Sequence, residues 1–296
     1  MILSVSRRTD IPAFYMDWFM KRYKEGYVLT MNPMNRKQVS RISFSDVSAL
    51  VFWTKNPKNL LRCIDKINHK TLVHVTITPY TKEEDIKSKS EVISDTVLLS
   101  KKLQGNLIWR YDPIMINETY NTNYHLKYFE RLCERFEGHI DKCIVSFLEP
   151  YKKIQSILNN YDLPDQSYKH SLIAALNDIA NKHGIQIMSC CEDLGIKKSA
   201  CIDGSILKIS GYKKDPYQRE GCNCIESIDI GAYNTCIHGC IYCYANYDHK
   251  KAHSFYDQFD SDQKHLGPKF QGDETIKVRK IKVNRQISLF DKEIIK

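Results

Sequence analysis

Three cysteines near the C-terminal end of the chain stand at the spacing C-x3-C-x2-C. They are Cys236, Cys240 and Cys243, and Tyr242 precedes the last of them. Three thiolates can hold three irons of a four-iron cluster and leave the fourth iron open to a small molecule, whereas a fourth cysteine would close the cluster. A zinc site is an alternative, but structural zinc is usually bound by paired C-x2-4-C units, and a second pair would have to come from elsewhere. Thiols that bind no metal are the remaining alternative.

A second group of cysteines lies in a glycine-containing segment further upstream. Its members are Cys190, Cys191, Cys201, Cys222 and Cys224. One of the adjacent pair Cys190 and Cys191, together with the other three, gives four thiolates, which would close a second iron–sulfur cluster or a zinc site. Reduced thiols in the protein core are the alternative. The close spacing of Cys222 and Cys224 in a loop bounded by glycine argues against that alternative.

Composition places the chain among soluble globular proteins. Its 296 residues are 42% hydrophobic and 27% charged, which suits one large domain or a domain with an appendage. No apolar run approaches the length of a membrane span, and the first residues lack the pattern of a secretory signal. We therefore expect a cytoplasmic protein with no membrane partner, in which 11 cysteines indicate metal rather than disulfides. The net charge of +9 is compatible with a nucleic-acid partner and equally with none.

Strand-like and helix-like segments alternate through the first two thirds of the chain. The strand-like runs are almost continuously apolar, as in strands buried on both faces of a parallel sheet: Ile2–Ser6, Ala49–Trp53, Leu72–Thr78, Asn106–Trp109, Cys143–Phe147 and Ile185–Ser189. The helical candidates between them are Pro12–Lys24, Pro57–Asn68, Glu91–Gln104, Asn123–Phe136 and Tyr168–His183. This alternation predicts an α/β fold of βαβ units with right-handed crossovers. The choice lies between an open doubly wound sheet and a closed or partial barrel, and the absence of glycine-rich phosphate motifs disfavours the nucleotide-binding open sheets.

Polar side chains that can act as acids, bases or ligands stand at the C-terminal end of most of the predicted strands or directly after it. In a barrel of parallel strands the C-terminal ends share one face, and active sites are built there. One arginine–aspartate set by itself is compatible with a structural ion pair, but five successive clusters predict a shared active-site mouth. The clusters are Arg7, Arg8, Thr9 and Asp10; Thr54, Lys55 and Asn56; Thr76, Thr78 and Tyr80; Arg110, Tyr111 and Asp112; and Glu149.

The segment from Asp229 to Asn246 resembles the first strand and cluster loop of a radical S-adenosylmethionine (radical SAM) barrel. Its Cys-Ile-His-Gly-Cys-Ile-Tyr-Cys-Tyr sequence is most similar to the spore photoproduct lyase-like branch. That branch also carries a Thr-Lys motif, a Thr-rich strand and an Arg-x-Asp-Pro-Ile motif, which match Thr54-Lys55, Val75–Thr78 and Arg110–Ile114. Here all three precede the cysteine loop. The resemblance therefore implies a partial (β/α) barrel that is circularly permuted, with its cluster-binding strand on the C-terminal side and next to the strand of Ile2–Ser6.

The chain as a whole resembles a family described as domain of unknown function 1848. The shared motifs are Ser6–Tyr15, Val51–Pro57, Trp109–Pro113 and the cysteine loop. Relatives read Cys-x-Glu where this chain has Cys190-Cys191-Glu192, which favours Cys190 as the ligand from the adjacent pair. The resemblance implies a barrel over residues 1–245 with a cysteine-rich insert at about 188–226, followed by a polar extension over 246–296.

The radical SAM resemblance implies two cofactors, a [4Fe-4S] cluster and S-adenosylmethionine, and an enzyme that cleaves the latter reductively to a 5′-deoxyadenosyl radical. An electron donor such as flavodoxin or ferredoxin would be its partner. Arg110 or Lys55 would pair with the methionine carboxylate, because cationic side chains bind carboxylates through charge-assisted hydrogen bonds. Acceptors for the amino group or ribose hydroxyls would be Asp10, Asp112 or Glu149. Further cofactor-binding candidates are Arg7, Arg8, Thr76, Thr78 and Tyr242.

The segment Gln286–Phe290, Gln-Ile-Ser-Leu-Phe, resembles the peptide with which bacterial replication and repair proteins bind the sliding clamp. Together with the net charge and the lyase-like motifs, it favours DNA as the substrate, for repair or modification. Two alternatives stay open: a radical SAM enzyme acting on a small molecule or peptide, and a non-enzymatic iron–sulfur or zinc protein. A basic groove at the mouth would favour nucleic acid, and a closed small pocket would favour a small molecule.

Overall fold

The computed structural model describes residues 1–86 and 88–279, and its strands form two sheets. In chain order the strands are β1 (Ile2–Val5), β2 (Tyr27–Asn32), β3 (Asn35–Ser43), β4 (Ala49–Thr54), β5 (Lys70–Thr76), β6 (Leu107–Ile114), β7 (Lys142–Phe147), β8 (Gln186–Ser189), β9 (Ile228–Asp229) and β10 (Thr275–Val278). The larger sheet has seven strands in the order β8-β7-β6-β5-β4-β1-β9. All of its pairings are parallel. The predicted parallel α/β architecture is therefore confirmed, and the sheet is consistent with a partial barrel.

Helices follow most strands of the larger sheet. They are α1 (Ile11–Phe14), α2 (Met16–Glu25), α3 (Lys58–Cys63), α4 (Lys89–Leu103), α5 (Thr122–Phe136), α6 (Gln155–Leu158), α7 (Gln166–Lys182) and α8 (His249–Asp257). The predicted helix Pro12–Lys24 is divided at Tyr15, whose buried side chain donates a 2.5 Å hydrogen bond to the Thr235 carbonyl. Within the described residues, no helix combines the length and apolarity that a membrane crossing requires.

The two faces of the larger sheet are covered by different parts of the chain. Helices cover one face, where Trp109 stacks on Phe129 with ring centroids 4.9 Å apart. The other face presents the alternate strand residues Ile2, Val51, Leu72, Ile108 and Ile144, and these pack against the cysteine-rich segment of residues 190–225. Both faces of the strands are therefore buried, which explains why their sequences are almost continuously apolar rather than alternating.

The strand before the cysteine loop lies at the edge of the larger sheet. β9 pairs in parallel with β1, with Leu3 opposite Ile228 and Ser4 opposite Asp229. The predicted position beside the first strand is thus observed, but the expected strand Asp229–Asn234 is shorter and begins one residue earlier. The Asp229 carboxylate accepts from Ser4 Oγ at 2.6 Å and from the Gly231 backbone N–H at 2.9 Å. These bonds turn the chain out of the sheet and towards the cysteines.

Residues 246–279 of the predicted polar extension pack on the remainder of the chain. β10 pairs in parallel with β3, which forms a three-stranded sheet with β2. The indole N–H of Trp18 donates to the Gln263 carbonyl at 2.8 Å, and Tyr15 packs edge-on against Phe259. Trp18 of α2 and Tyr15 directly before it are therefore covered by this segment. The clamp-like segment Gln286–Phe290 lies outside the described residues.

Candidate functional site

One cavity of about 470 Å³ collects the polar residues from the C-terminal ends of the parallel strands. It lies where the sequence predicts an active-site mouth, since strand ends of a parallel sheet share one edge. Both cysteine groups also line it. Asn56, Tyr80 and Tyr111 of the strand-end clusters do not line it, and among the predicted cofactor-binding, catalytic and cysteine residues Thr78 does not line it either. Those that do are Arg7, Arg8, Asp10, Lys55, Thr76, Arg110, Asp112, Glu149, Tyr242, Cys190, Cys201, Cys222, Cys224, Cys236, Cys240 and Cys243.

The loop that carries Cys236, Cys240 and Cys243 folds against this cavity. Cys240 is buried, and the other two are half-buried. Burial raises the pKa of all three thiols, to about 12 for Cys240. The backbone N–H of Ala245 donates to Cys243 Sγ at 3.3 Å. Three thiols gathered where an uncompensated thiolate is disfavoured would be stabilised as thiolates by a bound cationic centre.

Asp10 anchors the cysteine loop to the first strand. Its Oδ1 accepts from the Ala13 backbone N–H at 2.9 Å and so caps α1. Its Oδ2 accepts from the Lys55 backbone N–H at 2.7 Å and lies 2.7 Å from Nε2 of His238. Both oxygens are thus engaged within the protein. Asp10 therefore positions three segments of the chain, and its predicted contact with a cofactor stays a prediction, since it also lines the cavity.

Lys55 belongs to a buried ion pair beneath the cysteine loop. Its Nζ lies 2.9 Å from Glu84 Oε2 and donates to the Tyr242 hydroxyl at 2.8 Å. Burial alone would lower the pKa of Lys55, but the Glu84 carboxylate raises it above the ordinary value. Thr78 donates a hydrogen bond to the same carboxylate. Thr78 therefore contributes to the site through its hydrogen bond to Glu84. Lys55, the predicted partner of the methionine carboxylate, is already paired with the Glu84 carboxylate.

Arg110 faces the second cysteine group rather than open space. Its Nη1 donates to Cys201 Sγ at 3.0 Å, and its Nη2 lies 2.5 Å from Asp112 Oδ2. Asp112 also accepts from the Ser146 hydroxyl. The predicted arginine–aspartate cluster is therefore a pair of the buried Arg110, which donates to sulfur, and the half-buried Asp112.

Arg219 is a site residue that the sequence reasoning missed. Arg219 forms an ion pair with Glu149. The Glu149 carboxylate, which the sequence predicts as an acceptor for the cofactor, is thus already paired. Arg219 Nε donates to Cys191 Sγ at 3.1 Å. Its position two residues from Gly221 and three from Cys222 could have drawn attention to it, but no strand end marks it.

Arg7 and Arg8 are the cations of the mouth that remain open to a ligand. Within the described residues, neither has a carboxylate within ion-pair distance. The Arg7 guanidinium donates to the Gln218 side chain at 3.0 Å and lies 5.6 Å from the Trp53 ring. Arg8 lies 5.3 Å from the Tyr233 ring. These two residues can therefore accept an anionic group that enters the cavity.

The second cysteine group gathers five thiols beside the cavity, and this set, the cysteine ring, consists of Cys190, Cys191, Cys201, Cys222 and Cys224. Cys190 Sγ lies 3.9 Å from Cys191 Sγ and 3.8 Å from Cys201 Sγ. Cys222 and Cys224 lie in the same buried cluster as Cys190 and Cys201, and Cys191 packs against this cluster. These distances exceed a disulfide bond, so the ring consists of free thiols.

In residues 1–86 and 88–279, no three His, Cys, Asp or Glu side chains converge on a point where one metal ion would bind. A single tetrahedral zinc ion requires such convergence, since its four ligands share one centre. In an iron–sulfur cluster each cysteine binds a different iron, so its thiols need not converge. The donor set of thiols and N–H groups is compatible with clusters of this second kind.

Many of the residues that line the cavity belong to the motifs Ser6–Tyr15, Val51–Pro57, Trp109–Pro113 and the cysteine loop. A family model described as domain of unknown function (DUF1848) matches residues 2–245. The chain belongs to this family. Comparisons with curated proteins and with solved structures gave no match. The chemistry of this DUF1848 protein therefore has to be argued from its own residues.

The DUF1848 match ends at Ala245, directly after the cysteine loop. It includes both cysteine groups and every strand that contributes to the cavity. Several residues that organise the site were not singled out from the sequence: Glu84, Ser146, Asp229 and Arg219. Glu84 and Arg219 lie in loops, Ser146 lies in β7 and Asp229 lies in β9, and only their contacts reveal their part in the site.

Proposed function

We propose that this DUF1848 protein is a radical SAM iron–sulfur enzyme that cleaves S-adenosylmethionine. The observation that carries the proposal is that Cys236, Cys240 and Cys243 line one cavity with the C-terminal ends of five parallel strands. When bound, a three-cysteine cluster would supply an open iron and the electron that splits S-adenosylmethionine into methionine and a 5′-deoxyadenosyl radical. The strand order, with β9 beside β1, supports a permuted version of the barrel of these enzymes.

The cavity has room for a ligand of this kind. Its volume of about 470 Å³ falls in the range of small-molecule sites. Arg7 and Arg8 supply cations for a carboxylate, because Lys55 and Arg110 are paired with Glu84 and Asp112. In this proposal Arg110 and Lys55 stabilise the cavity lining through their ion pairs. The methionine carboxylate of S-adenosylmethionine binds to Arg7 or Arg8.

The loop would be held in position by its buried partners. His238 is fixed by Asp10, and the Tyr242 hydroxyl is fixed by Lys55, so both sides of Cys240 are tethered. A rigid loop keeps reactive groups in one geometry and limits the entry of water. These residues bind and orient, and the cofactor supplies the chemistry.

The test is anaerobic reconstitution of the full chain with iron and sulfide, followed by reduction with dithionite in the presence of S-adenosylmethionine and quantification of 5′-deoxyadenosine. We expect formation of this product in the parent and its loss in the variant Cys236→Ala/Cys240→Ala/Cys243→Ala. Cys63→Ser is the matched control, because Cys63 is a half-buried thiol outside the cavity. A reconstituted parent that holds a reducible cluster but yields no 5′-deoxyadenosine would overturn the proposal.

Nucleic acid is the substrate class that the rim of the cavity favours. Two tyrosines that line the cavity, Tyr151 and Tyr244, are more than one third exposed, and so are Tyr233 and Tyr247, which lie beside Lys153. Lys153 links the two sets, because it donates to the Tyr244 carbonyl. Lys153 Nζ lies 3.6 Å from the Tyr247 ring centroid and 5.3 Å from that of Tyr233. Exposed aromatic rings beside cations are the elements with which proteins stack bases and bind phosphates of single strands.

Binding of a fluorescent single-stranded DNA oligonucleotide, followed by anisotropy at several salt concentrations, tests this substrate class. Tyr247→Ala/Lys153→Ala should weaken binding by about tenfold, since stacking contributes about 1–3 kcal/mol per base. Tyr217→Ala is the control, because Tyr217 is 92% exposed and no cation of the described chain lies over its ring as Lys153 lies over that of Tyr247. Absence of salt-dependent binding in the parent would leave the small-molecule alternative as the better one.

A further inference from the structure

We propose that the ring of five cysteines binds a polynuclear iron–sulfur cluster of its own, through Cys190, Cys201, Cys222 and Cys224, and that Cys191 stays outside the ligand set. This centre is separate from the one at Cys236, and the inference stands whether or not the first loop cleaves S-adenosylmethionine. It would bring two iron–sulfur centres to one cavity, because both cysteine groups line it.

The arrangement of the thiols argues for a cluster rather than for one zinc ion. A tetrahedral zinc site with Zn–S bonds of about 2.3 Å places all four sulfurs about 3.8 Å from one another. In the ring, Cys190 lies at 3.8–3.9 Å from its two neighbours Cys201 and Cys191. That spacing holds for Cys190 and these two neighbours alone among the contacts of the described chain, where no three thiols converge on one ion position. Four ligands of one zinc ion would have to converge, whereas the thiols of a cluster bind different irons.

The charges around the ring suit an anionic centre. Arg110 donates to Cys201 Sγ at 3.0 Å, and Arg219 donates to Cys191 Sγ at 3.1 Å and to Cys190 Sγ at 3.6 Å. Hydrogen bonds from N–H groups to sulfur are among the factors that stabilise such clusters and set their potentials. The carboxylates of Asp112 and Glu149 hold the two guanidinium groups in place.

Buried hydroxyls near the ring lack partners. Ser189, directly before Cys190, and Ser199, two residues before Cys201, each have a buried Oγ with no hydrogen-bond partner. An unpartnered buried hydroxyl is costly, on the order of 1–3 kcal/mol. The sulfides and thiolates of a bound cluster would be acceptors in this part of the core.

Exposure separates Cys191 from the other four thiols. Cys190, Cys201, Cys222 and Cys224 are buried, whereas Cys191 is half-buried. A four-iron cluster needs one thiolate per iron, so four buried cysteines complete it. Cys191 then remains as a thiol at the cavity wall, hydrogen-bonded by Arg219.

The decisive sample is the full chain with Cys236→Ala/Cys240→Ala/Cys243→Ala, produced without oxygen, because it keeps the ring and lacks the first loop's thiols. We expect about four irons and about four sulfides per chain in this variant and about eight of each in the parent. Mössbauer spectra identify the cluster type independently of any activity. Zinc in place of iron, or no metal, in this variant would overturn the proposal, even if the parent cleaves S-adenosylmethionine.

The ligand set is tested in the same background by single changes. Adding Cys201→Ser should remove the remaining iron, whereas adding Cys191→Ser should leave it unchanged, and circular dichroism verifies that both variants fold. Loss of iron with Cys191→Ser and retention with Cys190→Ser would refute the assignment of Cys190. A ring variant that fails to fold leaves the metal content of the three-alanine chain as the deciding measurement.

Discussion

Nε2 of His238 lies 2.7 Å from Oδ2 of Asp10, and both side chains are buried. The two residues are separated by 228 positions in the chain. This contact ties the cysteine loop to the loop after β1, beside the β9–β1 pairing. Asp10 holds α1 and the Lys55 backbone with the same carboxylate, so one side chain joins three segments of the site.

Replacing Asp10 should therefore cost more than the loss of a helix cap. Asp10→Ala removes a cap, at about 1 kcal/mol, and leaves the buried Lys55 N–H and His238 without their acceptor, at about 1–3 kcal/mol. We expect a loss of about 2–4 kcal/mol in the free energy of unfolding, measured by urea denaturation. Asp165→Ala is the matched control, because Asp165 caps α7 through the Tyr168 N–H and is exposed. Equal losses in the two variants would mean that the His238 contact contributes nothing.

The Lys55–Glu84 pair should show strong coupling. Lys55→Met leaves a buried carboxylate without its cation, and such changes cost about 3–5 kcal/mol. Adding Glu84→Gln removes the unpaired charge, so the double variant should be more stable than Lys55→Met alone. A double-mutant cycle by chemical denaturation measures this.

The exposed pair Lys58–Glu91, at 3.5 Å, is the control for that cycle. Its coupling should stay below about 1 kcal/mol, because solvent screens exposed pairs. A coupling free energy for Lys55–Glu84 as small as that of the control would contradict the prediction. Glu84 would then not hold Lys55 in the position from which it donates to Tyr242.

His125 should make stability depend on pH below neutrality. Burial lowers its pKa from 6.5 to about 4, and the neutral ring lies 2.8 Å from the Tyr111 hydroxyl and 2.9 Å from the Met115 carbonyl. The unfolded state takes up the proton first as pH falls. The stability contributed by neutral His125 is therefore complete above pH 6.5 and is lost between pH 6.5 and about 4.

The comparison of the parent with His125→Gln isolates this effect, because other acid-sensitive groups are common to both chains. The parent should lose about 3 kcal/mol more than the variant over this interval. The measurement is the urea midpoint and slope at a series of pH values. Parallel pH profiles would show that His125 is charged in the folded protein or accessible to solvent.

The folded unit should extend beyond the family match. A chain shortened after Asn246 loses α8, β10 and the segment that covers Trp18 and Tyr15. Exposing half of these two rings would cost about 5 kcal/mol, which is comparable to the whole stability of many domains. We expect this shortened chain to be aggregated or to melt at a much lower temperature in calorimetry. A Tm equal to that of the full chain would contradict the packing of this segment.

The sequence by itself determined the parallel sheet and the chemistry-bearing residues. The apolar runs that contain Val51 in β4 and Ile144 in β7 identify buried strands. The spacing of the cysteines is a local property of the chain, so it is read directly from the sequence. The residues at strand ends also meet as predicted, because parallel strands direct their C-terminal ends to one edge. The hairpin of β2 and β3 was not predicted, since Asn35–Ser43 is mostly polar and exposed at its start.

Only the tertiary structure decided which of these groups remain open to a ligand. Lys55 and Arg110 looked like free cations in the sequence, but Glu84 and Asp112 neutralise them. The fold likewise brings Cys190 and Cys201 within 3.8 Å of each other and places Cys222 and Cys224 in the same buried cluster. Spacing along the chain identifies which residues have the chemistry to act. Their charge and burial depend on partners distant in sequence, and only the folded chain brings those partners into contact.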